Sequence, residues 1–394
     1  MNHQENSTAA SPRAWSAVGS MTLCVALLIA SEFMPVSLLT PIARDLGATE
    51  GLAGQAISVS GLFAVATSLL ITSMAGRIDR RHLLPGLTAA MLVSLVLIAA
   101  APNFGFLMAA RALLGVTIGG FWSLSTATIV RLVPPQAVPK ALSVMYMGNA
   151  AATAFAAPIG SYLGGLLGWR GVFWALAPLA AIAMAWQWIS LPSMPSAGAL
   201  PVARVLGLLH RPVVARAMAA VMLTFGGAFA AFTYFRPFLE SRAHATLPQL
   251  SLLLLALGSA GFIGTFAAGA LMTRHLHRLL RMLPIALAAV TAAMLLAQHA
   301  LCPLAVLLFA WGALNAAMPV SWFNWLTRGV RDEPEAGGGL MVAAIQLAIM
   351  LGASLGGWLL DHLSVSATLI GGALLMAAGT LTVGSGRALR AEPA

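Results

Sequence analysis

Charged residues are scarce in this 394-residue sequence. Only 8% of the residues are Asp, Glu, Lys or Arg, whereas 60% are hydrophobic, and the mean hydropathy is +0.90. A soluble globular domain carries about 25% charged residues. Because so few charges cannot cover the surface of a soluble protein of this size, lipid must cover most of it. The composition therefore excludes a water-soluble globular protein and predicts an integral membrane protein.

Cysteine is nearly absent as well. Its two occurrences, Cys24 and Cys302, lie within or beside apolar runs, which excludes a disulfide framework and a cysteine metal site. The sequence has neither a His-Glu-x-x-His motif nor a P-loop, so neither metal hydrolysis nor direct use of ATP is indicated. We therefore expect no cofactor and no metal. No small-residue cleavage site follows the first apolar run, which favours a retained helix over a signal peptide.

Apolar runs of roughly twenty residues, the length that crosses ~30 Å of hydrocarbon, recur along the whole chain. They predict an all-α integral membrane fold with twelve transmembrane helices. The predicted spans are 17–41, 51–75, 84–101, 106–130, 138–164, 170–191, 213–237, 248–272, 283–299, 303–327, 337–360 and 367–386.

The basic residues predict the orientation. If the N-terminus is inside, sixteen of the 21 Lys and Arg residues fall in inner segments and four in outer segments, while Arg111 lies within a span. This bias predicts that both termini are cytoplasmic. The net charge of +10 does not predict a nucleic-acid partner, because the arginines are dispersed among short loops rather than clustered on one face.

The chain divides near its middle. A proline-rich stretch at 192–212 is predicted to be a cytoplasmic linker. It separates an N-terminal six-helix half, 1–191, from a C-terminal six-helix half, 213–394. An internal repeat supports this division, since residues 159–165 (IGSYLGG) match residues 351–357 (LGASLGG) at an offset of 192 residues. Parallel repeats of six spans are typical of secondary carriers.

Two ionisable residues lie deep within predicted spans, Glu32 in the first and Arg111 in the fourth. At 1.5 Å per residue both lie at a similar depth, ~13 and ~10 Å below the outer surface, so they can pair. Pro35 cannot donate to the carbonyl of Ser31, which leaves a free acceptor beside Glu32. One interpretation makes Glu32 a proton carrier or substrate ligand tuned by Arg111. The other is a static interhelical ion pair.

Aromatic and amide side chains form a second group of candidates for substrate contact. Stacking faces with amide groups suit a planar heterocycle that carries sugar hydroxyls. Packing and helix-to-helix hydrogen bonding explain the same residues equally well. Together with Glu32, the candidates are Phe121, Trp122, Phe232, Tyr234, Asn315, Trp322 and Gln346.

Three motifs resemble those of the major facilitator superfamily. Residues 76–81 (GRIDRR) resemble a shortened form of its loop signature, which implies that Asp79 and Arg80 help to latch the two halves. Residues 111–119 (RALLGVTIG) match its fourth-span motif, which implies that Arg111 takes part in proton coupling. The glycine-rich stretch 148–165, with Pro158, resembles its antiporter motif and favours efflux over uptake.

Nearly the whole chain is similar to bacterial purine ribonucleoside efflux pumps of the drug/proton antiporter-1 group, most densely at 32–41 (EFMPVSLLTP) and 119–123 (GGFWS). The resemblance implies proton-driven export of nucleosides such as inosine or guanosine, and of purine analogues, across the bacterial inner membrane. It implies a carrier, not an enzyme, whose partners are its substrate, protons and lipid, and which acts as a monomer.

Two alternatives remain open. A sugar or multidrug exporter of the same superfamily differs only in its cavity residues. An intramembrane enzyme is the more remote alternative: residues 352–356 (GASLG) fit a Gly-x-Ser-x-Gly pattern around Ser354. That motif lies within a span and lacks the strand-turn-helix context of a serine nucleophile, so close helix packing is the better explanation.

Overall fold

The computed structural model describes residues 11–74, 78–195, 201–384 and 389, and within them it is helical and contains no strand. This confirms the predicted all-α membrane fold. The helices are α1 (Pro12–Asp45), α2 (Glu50–Met74), α3 (Arg80–Ala99), α4 (Phe104–Leu132), α5 (Val138–Ser190), α6 (Val202–Gly207), α7 (Pro212–Phe232), α8 (Phe235–Ser241), α9 (Leu247–Leu296), α10 (Leu301–Gly329), α11 (Pro334–His362) and α12 (Val365–Val383).

Two helices are too long for a single crossing. Helix α5 has 53 residues and α9 has 50, and each would be about 75–80 Å long if straight, against ~30 Å of hydrocarbon. Gly168 breaks α5 with φ +72°, a conformation that glycine adopts at little cost, and a non-helical His275 breaks α9. Each broken helix supplies two crossings, and α7 with α8 supplies one, Pro212–Ser241. The described residues therefore account for twelve crossings, as predicted.

Each half of the chain packs around its own apolar cluster. In the first half, α1 and α3 pack on α5, and α2 packs on α4. In the second half, α7 packs on α11 and α12, and α9 packs on α10 and α12. The most extensive contacts between the halves are those of α2 with α11 and of α5 with α9, and α1 also contacts α8. The segment between α5 and α7 carries the short helix α6 and a 3-10 turn, Leu208–His210.

The halves meet at one end of the molecule, where the turn between α1 and α2 lies; we call it the α1–α2 end. Among the described residues, the hydrogen bonds that join the halves involve residues 37–58 and 161 of the first half and residues 234–251 and 350–361 of the second. Glycine permits the closest approach, since a Cβ on Gly258 of α9 would lie 2.0 Å from the carbonyl oxygen of Ala154 in α5. The α1–α2 end is therefore closed.

Candidate functional site

Arg111 of α4 ties three helices together. Its side chain is buried, with 1% exposure. Its Nη1 donates to the carbonyl of Ser31 in α1 at 2.8 Å, and its Nε donates to the carbonyl of Ala56 in α2 at 3.0 Å. Its Nη2 donates to the Ser60 hydroxyl at 2.9 Å. Because Pro35 has no N–H to give to Ser31, the guanidinium supplies the donor that the helix lacks.

Glu32 lies at the same level and is buried, with 5% exposure. The direct pairing with Arg111 that similar depth predicts is not observed: of the ion pairs between described residues, none joins these two side chains. The reason is that the Nε, Nη1 and Nη2 atoms of Arg111 already donate to Ser31, Ala56 and Ser60. The Arg111 charge still acts on the Glu32 carboxyl electrostatically.

Gln346 of α11 brings the second half to this level. Its side chain is 6% exposed and interacts with the Glu32 carboxyl. A Cβ placed on Gly61 of α2 would lie 3.2 Å from the Gln346 carbonyl oxygen, so α2 and α11 are in close contact here. The Gln346 Oε1 atom has no hydrogen-bond partner among the described residues. Glu32, Arg111 and Gln346 thus form a buried polar group between the halves, which we call the midplane site.

Aromatic rings surround the same level of α1. Phe33 contacts Phe229 and Phe232 of α7 across the junction, with ring centroids 6.0 and 5.9 Å apart. Phe232 in turn stacks on Trp311 of α10 at 5.7 Å with an interplanar angle of 10°. Phe232 is therefore in contact with the residue that follows Glu32, and its contact with substrate stays a prediction. Phe33 and Trp311 were not among the predicted contacts, although Phe33 directly follows Glu32 in the chain.

The other predicted contact residues lie in different surroundings. Phe121 is enclosed in the apolar cluster of the first half, and half-buried Trp122 stacks on Tyr146 at 6.0 Å. Trp322 is enclosed in the cluster of the second half, in edge contact with Trp325 at 6.0 Å. Asn315 of α10 is half-buried. In this state Phe121 and Trp322 offer no surface to a ligand.

Tyr234, which separates α7 from α8, fills a slot lined by glycines. Its side chain is fully buried, and its hydroxyl donates to the carbonyl of Ala353 at 2.8 Å. A Cβ on Gly54 of α2 would lie 2.0 Å from its hydroxyl oxygen, and one on Gly356 of α11 would lie 2.6 Å from its ring. Tyr234 was predicted to contact substrate; in this state, however, protein encloses it at the closed α1–α2 end.

A second arginine donates a hydrogen bond to a free carbonyl of α1, as Arg111 does. Arg236 of α8 donates from Nη1 to the carbonyl of Ser37, whose helical donor is missing because residue 41 is proline. Its Nε also donates to Glu240 at 2.8 Å, and Glu240 accepts from the Thr40 hydroxyl at 2.7 Å. Charge counting assigned Arg236 only to an outer segment. The spacing of Ser37 and Pro41, which repeats that of Ser31 and Pro35, was the available signal.

Asp79 and Arg80 lie at the opposite end, where α3 begins. Asp79 caps α3 by accepting from the Arg81 N–H at 2.8 Å, and it also accepts from the Met194 N–H at 2.7 Å and from the Ser193 hydroxyl. Desolvation raises the pKa of Asp79, but these hydrogen bonds outweigh it and hold the pKa at about 2. The backbone N–H of Arg80 donates to Met194. These contacts join the start of α3 to the beginning of the segment 192–212. Gly76 and Arg77 of the motif lie outside the described residues.

Twelve apolar crossings in two helical halves, with a buried polar site at their junction, define a polytopic membrane carrier. The family model of the Major Facilitator Superfamily matches residues 21–352. The chain therefore belongs to the Major Facilitator Superfamily and is a membrane transporter.

Individual relatives match over most of the chain. The "Purine ribonucleoside efflux pump NepI" of Escherichia coli is 40% identical over 94% of this chain and 93% of its own length. The pump of the same name from Salmonella paratyphi B is 39% identical over 92% of each chain. A protein of Pseudomonas aeruginosa named "Transcription regulatory protein OpdE" is 47% identical over 94% of this chain and 93% of its own.

Solved structures share the fold. A bacterial homologue of the human lysosomal transporter Spinster, in an inward-facing and unoccupied conformation, superposes with a TM-score of 0.77 at 16% identity, over 98% of this chain and all of that one. The human organic anion transporter MFSD10 superposes with a TM-score of 0.67 at 16% identity, over 95% of this chain and all of that one. At these identities the similarity shows the fold alone.

Proposed function

We propose that this chain exports purine ribonucleosides, such as inosine and guanosine, across the bacterial inner membrane in exchange for protons. The observation that carries the proposal is the midplane site, where Glu32 of one half interacts with Gln346 of the other, and where Phe33, the next residue of α1, contacts aromatic rings of the second half. The names of the relatives from Escherichia coli and Salmonella paratyphi B support the choice of substrate.

The transport cycle follows from the closed α1–α2 end. The positive-inside bias assigns this end to the periplasm and both termini to the cytoplasm. The state described here is then closed outward and takes substrate from the cytoplasm. Rocking of the two halves about the midplane site exposes it to the periplasm. Because one chain supplies both halves and the whole site, a monomer suffices for transport.

Proton coupling is assigned to Glu32, with Arg111 as its electrostatic partner. A carboxylate in a buried site binds either a proton or a hydrogen-bond donor of the substrate, but not both at the same oxygen. Substrate from the cytoplasm binds the charged form. A proton that arrives from the periplasm competes for the carboxylate and promotes release, so one group links the two fluxes.

Regulation of transcription and export of sugars or drugs are the two other candidate functions. The name of the Pseudomonas aeruginosa relative refers to transcription, yet in the described part of this chain every helix of 18 or more residues is apolar enough to cross a membrane. Such helices are unsuited to a DNA groove, whereas a carrier influences transcription by changing the concentration of a small effector. An exporter of sugars or drugs shares the fold, and it differs in the solute that is exported in exchange for protons.

The test is uptake of labelled inosine by inverted membrane vesicles with and without an imposed interior-acid pH gradient. We expect accumulation that depends on the gradient and is abolished in Glu32→Gln. The matched control is Asp332→Asn, which makes the same change at an exposed carboxylate between α10 and α11 and is expected to transport normally. If other solutes but not nucleosides accumulate, the substrate assignment is wrong. If nucleosides accumulate equally without the gradient, the proton coupling is wrong.

A further inference from the structure

The midplane site contains a buried acceptor that lacks a donor. The Gln346 Oε1 atom is buried and has no hydrogen-bond partner among the described residues, and the residue as a whole is only 6% exposed. The Glu32 carboxyl, with 5% exposure, has the Gln346 side chain as its hydrogen-bonding neighbour, and a carboxylate has lone pairs for several further donors. Buried polar groups are normally hydrogen-bonded. The site therefore has unused acceptor capacity, which a ligand that carries hydrogen-bond donors can fill.

Each nitrogen of the nearby Arg111 guanidinium already donates to the protein. The Nε, Nη1 and Nη2 atoms of Arg111 donate to Ala56, Ser31 and Ser60. Phe33, the residue after Glu32 in α1, contacts the rings of Phe229 and Phe232 across the junction, and aromatic rings of this kind can stack on a planar group. A planar ring held there would direct its edge, rather than its face, toward the carboxyl and the amide.

We propose that Glu32 and Gln346 read the Watson–Crick edge of a 6-oxopurine and so determine specificity; this rests on the proposed nucleoside export. The Glu32 carboxylate accepts from N1–H of hypoxanthine or guanine, and Gln346 Oε1 accepts from the 2-amino group of guanine. Guanosine therefore binds more tightly than inosine. Adenine presents an unprotonated N1 acceptor to the carboxylate, and the two lone pairs repel, so adenosine binds more weakly than either.

A different orientation of the nucleoside gives a distinct expectation. The same carboxylate can accept from ribose hydroxyls, as acidic residues do in dinucleotide-binding folds. In that orientation the base edge would face elsewhere. Two analogues separate the orientations, because 1-methylguanosine lacks the N1–H donor, whereas 2′-deoxyguanosine keeps the base and lacks a ribose hydroxyl.

The experiment measures binding of labelled guanosine to the purified full-length protein, with each unlabelled nucleoside as a competitor. Loss of a hydrogen bond to a charged, buried acceptor weakens binding by about tenfold or more. We expect 1-methylguanosine and adenosine to compete at least about tenfold more weakly than guanosine, and 2′-deoxyguanosine to compete within about threefold. In Gln346→Met we expect the preference for guanosine over inosine to disappear.

Gln298→Met, at a glutamine beyond the end of α9, is the matched control and is expected to keep the wild-type order. A wild-type unfolding midpoint in detergent shows that Gln346→Met is folded, and a preference for guanosine that persists in this folded variant would overturn the proposal. Equal competition by guanosine and 1-methylguanosine, or loss of competition by 2′-deoxyguanosine alone, would overturn the edge-reading proposal and leave nucleoside export intact. If no nucleoside competes, both proposals fail.

Discussion

At the scale of residues, prolines in α1 create acceptors that arginines from other helices use. Pro35 leaves the Ser31 carbonyl to Arg111 of the same half, and Pro41 leaves the Ser37 carbonyl to Arg236 of the other half. An unmatched carbonyl inside a membrane costs several kcal/mol. A guanidinium satisfies it and supplies donors for neighbouring acceptors as well. One pairing braces α1 within its half, and the other attaches α1 to the opposite half.

Replacing Arg111 with lysine is predicted to destabilise the protein even though the charge is kept. A single ammonium nitrogen cannot reach all three acceptors that the guanidinium fork serves on α1 and α2. Each buried acceptor left without a donor costs about 1–3 kcal/mol. We expect a lower unfolding midpoint in detergent for Arg111→Lys and a lower rate of inosine export. Arg204→Lys, at an exposed ion pair with Glu333, is the control. An unchanged midpoint for Arg111→Lys would contradict the bracing role.

The residues differ in how well sequence alone predicts them. Glu32 and Arg111 stand out because charge inside an apolar span is rare, and Pro35 predicts the free Ser31 carbonyl. Their mutual distance is not predictable, because equal depth does not reveal that neighbouring backbone carbonyls will occupy the arginine. Phe33 and Trp311 are also missed, since an aromatic residue in an apolar helix carries no sign that it faces the other half.

At the scale of elements, contact between the halves depends on where glycines, which have no side chain, occur along the helices. Tyr234 fits between α2 and α11 only because Gly54, Gly356 and Gly357 leave room for its ring and hydroxyl. The break between α7 and α8 positions that side chain. In the sequence, glycines in these spans indicate close helix packing without indicating the partner. From the sequence alone Tyr234 is therefore predicted to contact substrate, whereas in the structure it packs between α2 and α11.

Gly54→Ala is predicted to weaken the closed α1–α2 end. The added methyl would lie 2.0 Å from the Tyr234 hydroxyl oxygen, and overpacking of this kind costs about 1–3 kcal/mol. The outward-open state separates α2 from Tyr234, so the substitution favours that state. We expect faster reaction of a cysteine at Ser58, which is 5% exposed, with a membrane-impermeant thiol reagent added from the periplasmic side, in a background without Cys24 and Cys302.

Gly86→Ala in α3 is the control for that measurement, because a Cβ there meets nothing within 4 Å. Tyr234→Ala removes the group that the new methyl would strike. The double variant Gly54→Ala with Tyr234→Ala should therefore react no faster than Tyr234→Ala alone, a non-additivity expected of residues in contact. Additive effects would show that Gly54 acts through some other neighbour.

At the scale of the whole molecule, membrane physics explains why much of the architecture is predictable. Hydrophobic length predicts the twelve crossings, and the distribution of arginines predicts the orientation. Neither quantity carries information on which end of the molecule is closed. That property depends on shape complementarity between distant helices, such as α5 with α9 and α2 with α11. It also changes during transport, so a single sequence encodes more than one arrangement of the same helices.

A crosslink across the closed end is predicted to stop transport. The hydroxyl oxygens of Ser161 in α5 and Ser251 in α9 lie 3.2 Å apart, on opposite halves, so paired cysteines there are close enough to form a disulfide. Such a bond prevents the halves from separating at the periplasmic side, and rocking requires that separation. In a background without Cys24 and Cys302, we expect oxidation of the Ser161→Cys/Ser251→Cys variant to abolish inosine accumulation and reductant to restore it.

Ser20 and Ser190 provide the matched control pair, since their hydroxyl oxygens lie 3.3 Å apart within the first half. The corresponding double cysteine variant should transport equally well whether oxidised or reduced. Full activity of the crosslinked Ser161/Ser251 pair would mean that the halves do not part at α5 and α9 during export.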